Sequence, residues 1–315
     1  MTIQKILFPT DFSFCSDQAL REALFLAEQY ASELHAVHVT LPLEQERPSA
    51  SSLLPDLGVI QQQIDQMRER RSRTGPRHYK DIVILQSALR GISAAEALLD
   101  YARENDIDLI VMGTHGRRGL KHLMLGSVTE EVVRFSQCPV YTIRETNSAR
   151  TRHPIRQILV PVDYSEHARI ALAHAKSIAA DYRATIRALH IIEETIRPSF
   201  YVTGRTSSSS WYPEVEAAAT SEMKRLFADA PGPDVPAEFH IREGRAPIDI
   251  VAFAKRNGID LIVMASHGLT GIEHFLLGSV AEKVIRMAPC PVFTVKSFGK
   301  RLTAPEPERL LSSEK

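Results

Sequence analysis

The sequence has little of what marks a secreted, membrane or metal-binding protein. It contains three cysteines, Cys15, Cys138 and Cys290, and none stands in a CxxC or Cys/His spacing. Neither a disulfide framework nor a zinc site is therefore predicted. The sequence contains no run of about 18 apolar residues, the length needed to span a bilayer. The opening MTIQKILFPTDFS lacks the basic and apolar regions of a secretory signal. We expect reduced, semi-buried cysteines and a cytoplasmic protein.

An excess of charge is also lacking, because 38 basic residues balance 38 acidic ones. Long-range attraction to nucleic acid or to an anionic membrane is therefore not expected, and any anion site has to be local. The composition, 44% hydrophobic and 24% charged, is that of a globular protein. At 315 residues the chain is long enough for two domains.

An internal repeat sets the domain organisation. One offset of 152 residues separates three pairs of landmarks: Asp11 and Asp163, Gly126 and Gly278, Cys138 and Cys290. When residues 108–140 are aligned with residues 260–292, 19 of the 33 positions are identical. A period this long indicates two complete domains and not a solenoid. We predict domains over 1–146 and 155–297, joined by a linker and followed by a disordered tail over 298–315.

Within each copy, patterns for strands and helices alternate. Apolar runs such as Lys5–Asp11 and Asp108–Met112 predict strands buried in a parallel sheet, and helical periodicity follows them. Alternation of this kind predicts right-handed βαβ crossovers and a doubly wound α/β domain. The last strands, Val140–Arg144 and Val292–Lys296, each follow a Cys-Pro pair. An unpaired edge strand in this place favours association.

A ligand site is expected at the carboxyl ends of the strands, where the winding direction reverses. Asp11 and Asp163 end the first strands, and a glycine-rich segment from Gly113 to Ser127 follows the fourth strand of the first copy. Bare backbone N–H groups at a helix N-terminus favour an anion, which suits a nucleotide polyphosphate. A plain turn with tight helix packing is the alternative for such glycines.

The glycine segment resembles the G-x2-G-x9-G-[ST] pattern of ATP-binding universal stress proteins. It matches at Gly113, Gly116, Gly126 and Ser127, and the DFS and HV elements stand where that family has them. The resemblance implies a tandem member with two five-stranded, Rossmann-like parallel sheets of strand order 3-2-1-4-5, of the adenine nucleotide alpha hydrolase type. It also implies bound ATP, with a divalent ion such as Mg²⁺ bridging the phosphates.

Members of that family dimerise through the last strand of the sheet. The resemblance therefore implies that Val140–Arg144 and Val292–Lys296 pair the two domains as a pseudo-dimer. Two chains could associate further as a homodimer, and a protein partner, which the sequence does not identify, is expected. Neither nucleic acid nor a membrane is expected as a partner.

The resemblance also implies individual roles. Asp11 would contact the ribose or the polar edge of adenine, although a helix N-cap is its alternative role. The backbone of Val39 would face adenine. The backbone of Gly113 and Gly116 would run alongside the ribose and α-phosphate, and Gly126 and Ser127 would contact the outer phosphates. The candidate ligand-binding residues are Pro9, Thr10, Asp11, Val39, Met112, Gly113, His115, Gly116, Arg117, Arg118, Gly126, Ser127 and Val128, and in the second copy Asp163, Ile191, Gly268, Gly278 and Ser279. No catalytic residue and no metal ligand is assigned.

The second copy departs from the pattern at its first glycine. Ala265 stands in the place of Gly113, and Leu269 and Thr270 replace the arginines at 117 and 118. If that position needs positive φ, a β-carbon costs on the order of 1 kcal/mol, and it could also crowd the ligand. We therefore expect weaker or absent nucleotide binding in the second domain.

A nucleotide-responsive regulator in a stress response is the leading functional hypothesis. An enzyme, at most a slow ATPase or a phosphoryl or nucleotidyl transferase, is the second. The sequence gives it no support because the GxxxxGK[ST] lysine and a clear general base are missing. The third is a scaffold, or a binder of another small molecule, that holds no nucleotide.

Overall fold

A computed structural model of the chain describes residues 1–41, 82–115, 125–145, 155–193, 213–266 and 277–303, and residues 58, 61, 62 and 64–66 between the first two ranges. The predicted linker lies outside the described residues, as do Gly116, Arg117, Arg118 and Gly268.

The first domain alternates strands and helices as its sequence predicts. Its elements are β1 Lys5–Pro9, α1 Phe14–Tyr30, β2 Glu33–Thr40, β3 Ile84–Arg90, α2 Ala94–Glu104, β4 Leu109–Gly113, α3 Ser127–Phe135 and β5 Val140–Ile143. The second domain repeats the order with β6 Gln157–Pro161, α4 Glu166–Tyr182, β7 Thr185–Glu193, α5 Pro213–Asp229, β8 Ala237–Gly244, α6 Ala246–Arg256, β9 Leu261–Ala265, α7 Ser279–Met287 and β10 Val292–Val295.

Local chemistry explains where the long helix of each domain begins and ends. Ser13 and Ser165 are the N-caps of α1 and α4, and their hydroxyls accept from the backbone N–H of Ser16 and Ala168. Such a cap satisfies one of the donors that a helix start leaves unpaired. Both helices end in a left-handed residue, Ala31 in one and Arg183 in the other.

The strands form one ten-stranded sheet in the order β3-β2-β1-β4-β5-β10-β9-β6-β7-β8. Within each half the pairing is parallel, and the predicted order 3-2-1-4-5 is confirmed in both halves. The halves join where β5 pairs with β10 in antiparallel orientation. The sheet is therefore mixed but largely parallel.

The junction between β5 and β10, called the seam below, pairs the two last strands as the sequence suggests. Its register aligns Tyr141 with Phe293, whose rings pack edge to face with centroids 6.4 Å apart. The hydroxyl of Thr142 donates to the Val292 carbonyl at 3.2 Å, and that of Thr294 donates to the Val140 carbonyl at 3.1 Å. Because these residues sit at equivalent positions of the repeat, the seam has approximate two-fold symmetry.

Both faces of the sheet carry a hydrophobic core that crosses the seam. The core under α1, α4 and α5 includes residues of both last strands, and so does the core under α2, α3, α6 and α7. All three cysteines are buried, and none forms a disulfide. Among the described ranges, no helix has the length and apolar character needed to cross a bilayer.

A cation follows each of the two last strands and reaches the other domain. Arg144, after β5, donates from Nη1 to the Met287 carbonyl at the end of α7, with an N···O distance of 3.3 Å. Lys296, after β10, donates from Nζ to the Arg134 carbonyl in the last turn of α3. A helix C-terminus carries partial negative charge and unpaired carbonyls, so both contacts stabilise the docking of the domains.

Antiparallel pairing at the seam reverses the direction of one half relative to the other. The carboxyl ends of β1 and β4 therefore lie at one edge of the sheet, and those of β6 and β9 lie at the opposite edge. Any sites at these ends open on opposite sides of the molecule.

Residues 298–303, which fall in the predicted tail, pack against the folded chain. The side chain of Leu302 is buried, and Lys300 pairs with Asp106 and Asp108 of the first domain. These contacts contradict the expectation of disorder for residues 298–303. The sequence could not predict them, because their partners lie far away in the chain.

Replacing Arg144 with Met should lower the free energy of unfolding by about 1 kcal/mol, because the carbonyl end of α7 loses a half-buried cation. The control is Arg103→Met in the last turn of α2, where the arginine is exposed and pairs only locally with Asp100. That variant should stay within about 0.5 kcal/mol of the parent. Urea unfolding measures both, and equal effects would show that Arg144 contributes nothing to the seam.

Candidate functional site

The candidate site of the first domain lies where β1 and β4 end side by side, at the reversal of winding. The N-termini of α1 and α3 meet these strand ends. Hydrogen bonds connect four strand ends and two helix starts at this edge of the domain.

Hydroxyl and carboxylate groups fix the turn from β1 into α1. Thr10 donates its N–H to the Val37 carbonyl at 2.8 Å, and its hydroxyl accepts from the N–H of Phe12 at 3.1 Å. Asp11 accepts from the N–H of Ser13 at 3.0 Å through Oδ1. Because Ser13 caps the helix, the interpretation of Asp11 as N-cap is wrong. Its carboxylate closes an Asx turn beside the strand ends.

The backbone of Val39 faces the space beyond the end of β1. In a strand, the N–H and C=O of one residue point to the same side, and successive residues alternate. Val37 turns its carbonyl to β1, so Val39, two residues on, turns its polar groups the same way. There β1 has ended, and the His38 ring bonds the Thr10 carbonyl with an N···O distance of 2.7 Å.

Both ends of the glycine segment are tied to the sheet. The N–H of Thr114 donates to the Ile143 carbonyl at 2.8 Å, and the N–H of Gly126 donates to the Thr114 carbonyl at 2.9 Å. The Thr129 hydroxyl, one turn into α3, donates to the Gly113 carbonyl at 2.8 Å. The start of α3 is therefore held directly against the end of β4. Gly116, Arg117 and Arg118 lie between these ends, outside the described residues, and stay predictions.

The first turn of α3 offers backbone donors without a side-chain cap. Gly126 is its N-cap and has no side chain that could accept a hydrogen bond, whereas Ser13 and Ser93 cap α1 and α2. The first N–H groups of a helix have no acceptor within the helix and carry partial positive charge. Ser127 is exposed at this turn, and Val128 packs partly against the core. Such a helix start can bind an anion.

Close packing, and not a special backbone angle, explains why glycine stands at positions 113 and 126 of the glycine segment. A β-carbon on Gly126 would lie 3.1 Å from the Thr114 carbonyl oxygen. One on Gly113 would lie 2.7 Å from the Cys15 sulfur and 3.2 Å from the Cys15 backbone. Neither glycine has positive φ. Gly113 therefore allows α1 to approach β4, and burial raises the pKa of the Cys15 thiol, which keeps it neutral there.

The remaining candidates of the first domain have different surroundings. Met112 is buried in the core, with 4% of its surface exposed. Pro9 ends β1, and His115 follows Thr114, whose hydroxyl lies 2.8 Å from its Nδ1. Neither Cys15 nor Thr129 is among the residues that the sequence predicts for the site, because their contacts join residues far apart in the chain.

The second domain has the equivalent arrangement at the carboxyl ends of its own strands. The N–H of Ser165 donates to Asp163 at 3.1 Å, the His190 ring bonds the Val162 carbonyl, and the N–H of Gly278 donates to the Ser266 carbonyl at 2.8 Å. Ile191 takes the place of Val39, and Ser279 begins α7 after the uncapped Gly278. Gly268 lies outside the described residues.

The replacement of Gly113 by Ala265 is explained by packing. Ala265 ends β9 without positive φ, so the predicted backbone cost does not arise. In the first domain a β-carbon in this place meets α1, not the mouth of the site, and the equivalent of Cys15 in the second domain is His167. Ala265 is therefore no reason to expect a crowded ligand. No cluster of histidine, cysteine or carboxylate side chains among the described residues could hold a metal ion.

Comparisons with known proteins agree with this architecture. The model of the universal stress protein family matches residues 2–144 and again residues 154–296. A universal stress protein of Mycolicibacterium smegmatis is 25% identical over 299 residues, which cover 92% of this chain and 96% of that protein. One from Methanocaldococcus jannaschii is 33% identical over 153 residues, or 45% of this chain and 94% of the relative. The fold of a universal stress protein from Archaeoglobus fulgidus superposes with a TM-score of 0.60 at 22% identity, covering 93% of this chain and 98% of that one.

Gly113→Ala should lower the free energy of unfolding by about 1 to 3 kcal/mol, because the new methyl group overpacks the contact between β4 and α1. Adding Cys15→Ala should recover part of the loss, with an interaction energy of at least about 0.5 kcal/mol in a double-mutant cycle. The matched control, Ala265→Gly, should cost only about 0.5 to 1 kcal/mol. Strict additivity of the two first-domain changes would contradict the packing explanation.

Proposed function

This chain belongs to the universal stress protein family, with two family domains in tandem, and we propose that its first domain binds ATP and that the protein acts as a nucleotide-responsive regulator. The observation that carries the proposal is the uncapped start of α3, which Thr114 and Thr129 hold against the end of β4. Backbone donors fixed in advance bind an anion without a further ordering cost.

The proposed pose runs from the end of β2 to the start of α3. Adenine would lie along the backbone of Val39, and Asp11 would accept from the ribose hydroxyls. The phosphates would accept from N–H groups at Ser127 and Val128 and from the Ser127 hydroxyl. Mg²⁺ would bridge the phosphate oxygens, since it binds such groups readily with few protein ligands.

The second domain is proposed to bind nucleotide more weakly. The reason is charge, because Leu269 and Thr270 take the places of Arg117 and Arg118. In addition, the Ser165 hydroxyl donates to Asp163 Oδ1 at 2.5 Å, so a ribose would compete with it for that oxygen. The two sites open on opposite edges of the sheet, and a partner could therefore contact one site without covering the other.

Regulation would act through the segment between Gly116 and Leu125. A ligand shifts a conformational equilibrium only by its differential affinity for the two states. ATP would therefore stabilise the arrangement of this segment in which its arginines reach the phosphates. A protein partner that contacts that surface would read the occupancy of the site.

Ser127→Asp should weaken ATP binding at least about tenfold, because a carboxylate would repel the outer phosphates. The fold should not suffer, since acidic residues are favourable in the first turn of a helix. Isothermal titration measures the affinity, and the thermal midpoint should stay at or above that of the parent. The matched variant Ser279→Asp, at the equivalent position of α7, should leave the stronger site unchanged. If Ser127→Asp binds as tightly as the parent, the phosphates do not lie at α3.

Denaturing the purified protein should release ATP, because the proposal places a nucleotide in the first domain. Chromatography of the extract against nucleotide standards identifies what is released. ADP or a covalent adduct would instead favour turnover. Finding no small molecule, with no binding on addition of ATP, would favour the scaffold hypothesis.

A further inference from the structure

The chain crosses the seam a second time after its last strand. The family match ends at residue 296, but residues 297–303 continue from the end of β10 along the first domain. These seven residues, called the clasp below, contact both domains at three points. Each point uses a different kind of interaction.

The first point is a close backbone crossing at Gly299. Its φ is +88°, a left-handed conformation that favours glycine, and a β-carbon there would collide with the Gln137 carbonyl of the first domain. That same carbonyl accepts from the N–H of Lys300 at 2.6 Å. Gln137 lies between α3 and β5, so the clasp contacts the first domain just before β5, one of the two strands of the seam.

The second point is Lys300, whose ammonium group reaches two carboxylates of the first domain. It lies 2.7 Å from Asp106 Oδ1 and 2.6 Å from Asp108 Oδ1, and it also donates to the Asp106 carbonyl at 3.0 Å. Asp108 is buried and accepts from the N–H groups of Gln4 and Lys5 at the start of β1. Lys300 therefore neutralises a carboxylate that helps to hold the sheet edge.

The equivalent carboxylate in the second domain is held by backbone donors. Asp260 accepts from the N–H groups of Arg156 and Gln157, at 2.9 Å each, in the same geometry as Asp108. The interaction with Lys300 is thus an addition to an arrangement that both domains share.

The third point anchors the far end of the clasp between the domains. Leu302 is 5% exposed and belongs to the core under α1 and α4. Its N–H donates to Nε2 of His174 on α4 at 3.3 Å, and its carbonyl accepts from the N–H of Thr2 in the first domain at 3.3 Å. His174 is buried, and its Nδ1 lies 2.9 Å from the Ile170 carbonyl, which fixes the ring so that Nε2 is the acceptor.

We propose that residues 297–303 are an interdomain clasp that keeps the seam between β5 and β10 closed. The seam has three paired backbone positions together with the core, ring and cation contacts described above, and the clasp adds contacts outside the two paired strands. Opening it requires that Lys300 leave its two carboxylates and that Leu302 leave the core. With the clasp in place, the seam opens only when contacts in both domains break together, whether or not a nucleotide is bound.

The test is hydrogen exchange of the full-length protein, followed by mass spectrometry. Lys300→Met removes the charge-assisted bonds while keeping the aliphatic stem, and Gly299→Ala forces the clasp away from Gln137. In both variants, peptides covering Val140–Ile143 and Val292–Val295 should exchange about tenfold faster. Peptides covering β2 and β7, far from the seam, should exchange at the parent rate.

Two control variants separate the clasp from generic effects of the substitutions. Gly258→Ala also replaces a glycine of positive φ, but nothing lies within 4 Å of the new carbon. Lys255→Met removes an exposed lysine from the last turn of α6. Both controls should leave exchange at the seam unchanged. The clasp is refuted if Lys300→Met protects the seam as well as Lys255→Met does, or if exchange rises equally throughout both domains.

Discussion

The antiparallel pairing of β5 with β10 is the interaction on which the rest of the architecture depends. It joins two five-stranded parallel sheets into one, and it lets the hydrophobic core on each face run from one domain into the other. It also turns the second half round, so that the two candidate sites open on opposite edges. Neither domain leaves its last strand as an unpaired edge, which is the place where an isolated sheet would associate or aggregate.

Duplication followed by divergence explains why residues at equivalent positions of the two domains have related but unequal roles. Arg144 and Lys296 are equivalent positions, and each stabilises the end of a helix in the other domain. The clasp follows the second domain, while its counterparts after β5 lie outside the described residues from 146 onward. The pair Gly113 and Cys15 has become Ala265 and His167. Both positions therefore carry a larger side chain in the second domain than in the first.

The candidate site follows from a contrast between helix starts. In the first domain α1 and α2 are closed by serine hydroxyls, while α3 is left open behind a glycine. The same contrast recurs between α4 and α7 in the second domain. Helix donors left without a cap cost stability unless water or a ligand satisfies them. Helix α6 also begins without a side-chain cap, so the distinguishing feature of α3 and α7 is that each starts against the strand end at the reversal of winding, β4 or β9.

The sequence by itself determined the duplication and the alternation of strands and helices, because these depend on local periodicity and on a repeat that can be counted. The order of the strands in each sheet followed only from the resemblance to the family. The Gly-Ser pairs at 126–127 and 278–279, which the sequence places in the candidate sites, stand where α3 and α7 begin. Tertiary structure alone decided that Gly113 serves Cys15, that Ser13 and not Asp11 caps α1, and that residues 297–303 return to the first domain. The first and the last of these depend on contacts between distant parts of the chain, which local sequence patterns do not predict. Asp11 and Ser13 are two positions apart and both suit an N-cap, so only the backbone geometry of the turn decides between them.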